Sequence, residues 1–295
     1  MLRDKKYMPY LLIAPAILIL ILLSYLPLPY AFYLSVHTTV PVTGQQVYVG
    51  MENFTKLFKL SNFWESLRNT FQYTAMCTGI MLLSGTLMAL AINSGIRGRS
   101  SYLTILFIPW VISDIVVSTT WKFMFNVDFG LLNYLFSNLG LRPSDLLTKP
   151  KLAMWGICVV TLWKTLAYST LLLVAGLQNI SKEYTEASRI DGCSARGTLW
   201  YVTLPLLRPT LLIVALLYII SCINQSGLIL VLTNGGPLRS TETLALYLYK
   251  QAFLNYQLTN TAAMSIVLAT INSAIVILYF VVNRLSSKGG NPLAQ

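Results

Sequence analysis

The chain has 295 residues, of which 55% are hydrophobic and only 11% are charged, with a mean hydropathy of +0.64. This composition excludes a water-soluble globular protein and is typical of a protein that crosses a membrane several times. The formal net charge of +11 does not indicate nucleic-acid binding, because the basic residues are scattered among polar connections, where anionic lipid headgroups explain them. The four cysteines are widely spaced and His37 is the only histidine, which argues against a disulfide framework or a histidine metal site.

Apolar runs long enough to cross a bilayer recur along the chain, separated by polar connections. The first run resembles a signal peptide in length, but no small-residue cleavage site follows it, so we interpret it as an uncleaved helix. The predicted spans cover about residues 8–30, 70–95, 102–125, 152–177, 210–232 and 260–282. We therefore expect an all-α membrane protein with six transmembrane helices, in one domain over residues 1–295, with both termini on one side.

The polar connection over residues 36–68 follows the first span and is expected outside the membrane. Its apolar residues recur at helical spacing, which predicts a helix lying at the membrane surface. These residues are Phe54, Leu57, Phe58, Phe63, Trp64 and Leu67.

The segment 179–209 is a charge-dense stretch between two long apolar runs, and we call it the elbow. Ser181 predicts the N-cap of a short helix, and Asp191-Gly192 predicts its end, because glycine readily adopts the left-handed conformation. Ser194 predicts the cap of a second short helix. Pro205 and Pro209 then mark the return to the membrane. Taken alone, the segment is also compatible with an ordinary solvated loop.

The elbow also contains a pattern of fixed spacing. EASRIDG at 186–192 is followed, after nine residues, by VTLP at 202–205. This resembles the EAA loop of ABC-importer permeases, with Ser188 where a second alanine is usual. The resemblance implies that residues of about 182–205 form a cytoplasmic coupling helix between transmembrane helices 4 and 5, seated in a cleft of an ATPase. The residues to which it assigns this role are Glu186, Ala187, Ser188, Asp191, Gly192, Leu204 and Pro205.

Three further segments resemble the carbohydrate branch of these permeases, the branch of the maltose and glycerol-3-phosphate systems. They are VGMENF at 49–54, WKFMF at 121–125 and LTNGGP at 232–237. The resemblance implies a type I ABC importer permease that imports a sugar or oligosaccharide. It also implies a heterodimer with a second, related permease, two ATPase subunits and an extracytoplasmic solute-binding protein.

Basic residues are divided almost evenly between the two sides of the predicted topology, so charge alone does not fix the orientation. The resemblance of the elbow does, because an ATPase-facing loop must lie in the cytoplasm. We therefore expect a multi-pass protein of the cytoplasmic membrane with both termini in the cytoplasm.

Two charged residues, Asp114 and Lys164, lie near the middle of predicted spans. A charge at that depth costs about 2.5–3.5 kcal/mol on insertion scales, so both should face the protein interior or a water-filled path. One hypothesis is a structural ion pair between the two. The other is that either residue lines the substrate path and binds hydroxyls or an acidic group of the cargo.

Other polar and aromatic side chains within the spans are weaker candidates for the substrate path. Asn224 and Gln225 either bind substrate or join helices by hydrogen bonds. Trp163 and Tyr168, beside Lys164, and Trp110, near Asp114, either stack on sugar rings or pack in the core. Asn224 lies where sugar permeases have an FN-x-FD pattern, but its neighbours do not match the rest of that pattern.

The sequence contains no phosphate-binding P-loop and no hydrolase or metal motif, which favours a non-catalytic subunit without a cofactor of its own. ATP and Mg²⁺ are then expected on the partner ATPase. One alternative is a permease for glycerol-phosphate-like or acidic saccharide cargo, towards which Lys164 points. Another is an ion-coupled secondary transporter that uses Asp114 and Lys164. Against the latter, neither an internal repeat nor a pair of glycine- or proline-broken spans is evident.

Overall fold

The structure, a computed structural model, describes residues 8–40, 44–95, 98–137, 139–140 and 142–288. The chain divides into two compact units. The first comprises Met1–Phe63 and Leu248–Ile271, and the second comprises Trp64–Tyr247 and Asn272–Gln295. The expectation of one domain over residues 1–295 stays a prediction. The basic residues of the N-terminus and Arg97, which entered the predicted topology, lie outside the described residues.

The first unit begins with apolar helices and continues into a small sheet. Its elements are α1 (Met8–Leu20), a π-helical turn (Ile21–Tyr25), α2 (Pro27–Ser35), β1 (His37–Thr39), β2 (Gln46–Tyr48) and α3 (Glu52–Lys59). The strands are antiparallel, with His37 opposite Tyr48. Asn53 of α3 donates hydrogen bonds to the carbonyls of Ser35 (2.8 Å) and His37 (2.9 Å) and so fastens α3 to the end of α2.

The predicted helix is confirmed for α3, which buries Phe54 and Leu57 on its apolar face, and its position at the membrane surface stays a prediction. Its predicted continuation through Phe63 and Trp64 is wrong, because Leu60 adopts an extended conformation and ends α3. A new helix, α4, begins at Ser61 and runs without interruption to Asn93. The aromatic residues at 63 and 64 therefore belong to the second span.

The remaining elements are helical. They are α5 (Arg99–Val111), α6 (Asp114–Met124), α7 (Leu131–Ser137), α8 (Asp145–Thr148), α9 (Pro150–Gln178), α10 (Lys182–Ile190), α11 (Ala195–Thr198), a π-helical turn (Leu199–Thr203), α12 (Leu204–Ile223), α13 (Gly227–Leu232), α14 (Leu244–Phe253) and α15 (Leu258–Lys288).

Among the described residues, five helical stretches are long and apolar enough to cross a membrane. They are Tyr10–Ser35, Ser61–Asn93, Pro150–Gln178, Ala195–Ile223 and Leu258–Arg284. A sixth crossing results if α5 and α6, which meet at a bend of 93°, are counted as one span. The predicted class, an all-α membrane protein with six spans, is confirmed.

The structure corrects the bounds of two predicted spans. The third, expected as one helix over 102–125, is broken because Ile112 and Ser113 both adopt extended backbone conformations between α5 and α6. Ser113 caps the new helix by accepting a hydrogen bond from the Val116 amide at 3.4 Å. The fifth, expected over 210–232, starts earlier and ends at Ile223, and α13 is a separate short helix.

The prolines at the end of the elbow lie within a continuous helix. The helix continues from Ala195 to Ile223, because a π-helical turn precedes Pro205 and the Leu204 amide bonds to the Leu199 carbonyl. Pro205 is the second residue of α12, directly after this π-helical turn. The elbow and the fifth span are thus joined by continuous helix.

The second unit has two buried apolar clusters. One brings together residues of α4, α6, α9, α12 and α13, including Tyr73, Ile157 and Leu228. The other joins the ends of α4, α9 and α12 nearer the elbow, around Leu173 and Leu207. The first cluster borders a polar cavity, because its residues Tyr73, Tyr218 and Leu228 also line that cavity.

Candidate functional site

The elbow is closed by local hydrogen bonds of the kinds that its sequence predicts. The Ser181 side chain accepts a hydrogen bond from the Glu183 amide (3.3 Å), and the Ser194 side chain accepts one from the Gly197 amide (3.2 Å). Gly192 has a φ of +82°, and its amide bonds to the Arg189 carbonyl (3.1 Å). The Cys193 amide bonds to the Ser188 carbonyl at 2.9 Å, which completes a Schellman motif. Both predicted caps and the predicted stop are confirmed.

The two short helices of the elbow are joined through Ser188. Its side chain is buried, and its hydroxyl lies 3.0 Å from the Thr198 hydroxyl on α11 and donates to the Thr185 carbonyl at 2.9 Å. Sequence reasoning missed Thr198, because nothing local marks it as the partner of a residue on the preceding helix. The serine that replaces the usual alanine therefore adds a hydrogen bond across the elbow.

The other predicted coupling residues lie at or near the surface. Glu186, Ala187, Asp191 and Gly192 are exposed on and just after α10, Leu204 is half-buried, and Pro205 is exposed at the start of α12. The Ile190 side chain is 87% exposed, and Tyr184 is also exposed. The elbow thus presents carboxylates and apolar side chains together on an exposed surface.

A cavity of about 790 Å³ lies between the elbow and the neighbouring helix ends. Glu186, Lys182 and Arg189 line it from α10, and Arg99 lines it from α5. With the amide of Gln178 oriented so that its oxygen faces Arg99, that oxygen accepts hydrogen bonds from the guanidinium, one of them at 3.0 Å. This links the end of α9 to the start of α5.

A second polar site lies beside the break in the third span and the end of the fifth span. Asp114 is the first residue of α6, directly after the α5–α6 break, where the helix dipole favours a negative charge. Its carboxylate forms an ion pair with Lys164 of α9. Gln225, in the break between α12 and α13, donates to the other carboxylate oxygen at 3.2 Å. The predicted contact between Asp114 and Lys164 is therefore present, and Gln225 joins it.

These residues line a cavity of about 300 Å³. The full lining is Tyr73, Trp110, Asp114, Thr161, Lys164, Thr165, Tyr218, Ser221, Cys222, Gln225 and Leu228. Its hydroxyls are connected in pairs: Tyr73 to Thr161 at 2.9 Å, and Thr165 to Tyr218 at 3.1 Å. Beneath them, the Cys77 and Cys158 thiols lie 2.8 Å apart.

Sequence reasoning missed the hydroxyl residues of this cavity. Their spacing in the sequence could have revealed them, since Thr161, Lys164 and Thr165 share one face of α9. Tyr218 and Ser221 of α12 lie in the same way on the face that leads to Gln225.

The remaining substrate-path candidates are not all brought to the cavity. The Trp110 ring lines it and stacks on Tyr168 (5.4 Å between centroids, 7° between planes). The Trp163 ring instead packs edge-on against Trp121 at 5.5 Å. Asn224 does not line this cavity either, because its amide exchanges hydrogen bonds with Asn272 of α15 at 3.2 and 3.3 Å. Tyr168 supports Trp110, while Asn224 joins two helices.

Across the ranges that the structure describes, no group of three or more His, Cys, Asp or Glu side chains forms a set able to hold a metal ion. The break at 112–113 interrupts the third span, whereas the break at 224–226 separates the end of the fifth span from α13. Both breaks border one cavity. Family membership decides between an importer subunit and an ion-coupled transporter.

Comparison with known proteins gives that decision. A family model described as "Binding-protein-dependent transport system inner membrane component" matches residues 81–289. The chain is 33% identical over 279 residues to the trehalose/maltose transport system permease protein MalF of Thermococcus litoralis, covering 95% of this chain and 90% of that protein. It is 34% identical over 270 residues to the sn-glycerol-3-phosphate transport system permease protein UgpA of Rhizobium meliloti, covering 90% and 91%.

The fold has a match among solved structures. A chain of a bacterial ABC transporter involved in the import of the acidic polysaccharide alginate superposes with a TM-score of 0.82 over 98% of both chains, at 18% identity. At 18% identity, this similarity shows only that the two chains share a fold. Together with the match over residues 81–289, these similarities establish that the chain belongs to the family of inner membrane components of binding-protein-dependent transport systems.

Proposed function

We propose that this chain is the permease subunit of an ABC importer that carries a carbohydrate across the cytoplasmic membrane, driven by ATP hydrolysis in partner subunits. The observation that carries the proposal is the elbow. It is capped at both helices, closed at Gly192 and presented with exposed Glu186 and Asp191 between two long apolar helices. The relatives named for trehalose/maltose and sn-glycerol 3-phosphate support a small carbohydrate-type cargo.

The proposal includes a set of partners. A second, related permease completes a heterodimeric pathway, two ATPase subunits bind ATP and Mg²⁺, and an extracytoplasmic solute-binding protein delivers the cargo. The chain itself is non-catalytic and needs no cofactor. Its elbow and both termini lie in the cytoplasm. The solved alginate importer in complex with a pentasaccharide-bound periplasmic protein supports the expectation of a binding-protein partner.

Coupling follows from how the elbow is built. A carboxylate such as Glu186 pairs with a basic groove on the ATPase, and the exposed Ile190 and Tyr184 add apolar contact. Because α11, the π-helical turn and α12 are continuous, movement of the elbow displaces the fifth span directly. Gly176 of α9 packs so closely on Thr210 of α12 that the fourth span must follow. The cavity bordered by both spans then opens alternately to the two sides.

The test is the ATPase activity of the purified transporter with its binding protein, for wild type and Glu186→Ala. We expect the substitution to lower binding-protein-stimulated hydrolysis and uptake by about tenfold or more, since a close charge pair contributes about 1.5 kcal/mol or more. Glu65→Ala, an exposed carboxylate of α4 outside the elbow, is the matched control. Gel filtration separates loss of the ATPase subunits from loss of coupling. Unchanged hydrolysis and uptake in Glu186→Ala would reject the proposal.

A further inference from the structure

The cavity at the two helix breaks has no net charge. Its lining contains one acid, Asp114, and one base, Lys164, and the two are paired. The Lys164 side chain is only 13% exposed, whereas the Asp114 side chain is 35% exposed. The carboxylate therefore presents more surface to an entering solute than the ammonium group, which lies beneath it.

The rest of the lining is uncharged. Tyr73, Thr161, Thr165, Tyr218 and Ser221 contribute hydroxyls, and hydroxyls both donate and accept hydrogen bonds. Gln225 adds an amide, and Trp110 adds a ring face, which suits the C–H surface of a sugar ring. This mixture of donors, acceptors and one flat apolar surface complements an uncharged compound with many hydroxyls.

An anionic group that binds Lys164 would either displace the Asp114 carboxylate or lie next to it, since the ammonium group has three N–H donors. Displacement would leave the carboxylate without its counter-charge, and proximity would place two negative charges side by side, so both are unfavourable. Gln225 does not compensate, because its amide N–H already points at the carboxylate at 3.2 Å. The arrangement thus penalises phosphate and carboxylate groups and leaves hydroxyl groups unaffected.

We propose that the Asp114–Lys164 pair is a charge filter that admits uncharged polyhydroxyl solutes, such as a neutral sugar, and rejects anions. The inference rests on the proposed function, because it names the cargo class of the same permease. It favours a neutral saccharide as the cargo over a glycerol-phosphate-like or acidic compound.

The charge of the cavity can be measured with thiol reagents of opposite sign. Ser221, exposed in the cavity, is replaced by cysteine in a Cys193→Ser/Cys222→Ala background, because Cys222 also lines the cavity; Cys77 and Cys158 are buried. Two rates of modification of this cysteine are measured in the purified full-length transporter. The rate with the anionic sulfonatoethyl methanethiosulfonate is divided by the rate with its cationic trimethylammonioethyl analogue. Normalised to a free thiol, this ratio should be at or below one.

Substitutions of Asp114 and of Lys164 should change this ratio in opposite directions. Asp114→Asn should raise the ratio by about tenfold or more, because one uncompensated positive charge then lines the same cavity as the thiol. Lys164→Gln should lower it to a similar extent. The double variant Asp114→Asn/Lys164→Gln restores neutrality and should return the ratio to within about twofold of the parent. Lys122→Gln removes a positive charge that does not line the cavity and is the control.

A ratio well above one with the native pair would overturn the proposal, and that measurement needs no pair variant to fold. Equal ratios in both single variants would also overturn it. The second readout is protection of Ser221→Cys from N-ethylmaleimide by millimolar maltose or glycerol 3-phosphate. We expect protection by maltose only, and better protection by glycerol 3-phosphate rejects the filter. If neither solute protects while the ratios follow expectation, the filter stands and maltose is excluded as the cargo of the proposed function.

Discussion

At the scale of single residues, one close fit in the second unit lies where α9 passes α12. A Cβ atom added at Gly176 would lie 2.6 Å from Thr210 Cγ2 and 2.7 Å from its hydroxyl oxygen. Rotation of the Thr210 side chain does not relieve this contact, because Thr210 Cβ also lies 2.9 Å from the added atom. Glycine at 176 therefore allows the fourth and fifth spans to approach closely beside the elbow.

Gly176→Ala should lower the stability of the detergent-solubilised chain by about 1–3 kcal/mol, since overpacking forces the helices apart. Thermal unfolding followed by tryptophan fluorescence measures the effect. Gly79→Ala on α4 is the matched control, because its added Cβ meets nothing within 4 Å. Adding Thr210→Ala should restore part of the loss. A Gly176→Ala variant as stable as Gly79→Ala would show that the two helices do not pack this closely.

At the scale of elements, the elbow is held by its turns and by little buried surface. Ser188 is a buried residue of α10, and its hydroxyl contact with Thr198 joins the two short helices. The turn between them depends on Gly192, whose φ of +82° lies in the left-handed region. An added Cβ there would meet nothing within 4 Å, so only backbone conformation limits the substitution.

Gly192→Ala should therefore disturb the elbow without any steric clash, at a conformational cost of about 1–2 kcal/mol. We expect a severalfold weaker association of the ATPase subunit, measured by titrating it into membranes that contain the permease. Gly192→Asn is the informative comparison, because asparagine tolerates the left-handed conformation, and it should fall between alanine and wild type. Equal association of all three proteins would contradict a role for the turn in coupling.

At the scale of the whole molecule, the orientation in the membrane rests on the elbow, because the basic residues do not decide it. The native Cys193 is exposed in the elbow, and Leu238 is 90% exposed in the connection between α13 and α14. The proposed topology places these two positions on opposite sides of the membrane.

Intact cells that produce Leu238→Cys in a Cys193→Ser background should react with a membrane-impermeant maleimide. Cells with native Cys193 should react at least about tenfold less until the membrane is opened, because the bilayer excludes the charged reagent. Inverted vesicles stripped of the ATPase should show the reverse order. Rapid labelling of Cys193 from outside would invert the topology and remove the elbow from the ATPase side.

The sequence by itself determined the features that depend on neighbouring residues or on composition. Ser181, Ser194 and Gly192 end or begin helices through hydrogen bonds within a few residues, so the elbow was predictable together with its family motif. The number of spans followed from hydropathy, because a bilayer requires long apolar helices with their backbone hydrogen bonds satisfied internally.

Only the tertiary structure decided where the spans break and what their polar residues face. Ile112 and Ser113 carry no charge, so hydropathy did not show the interruption that places Asp114 at a helix start. Trp163 packs on Trp121 because the rotation of α9 is set by packing with its neighbours, which a local pattern does not fix. The contact among Asp114, Lys164 and Gln225 joins residues far apart in the chain, and the packing of four helices brings them to one cavity.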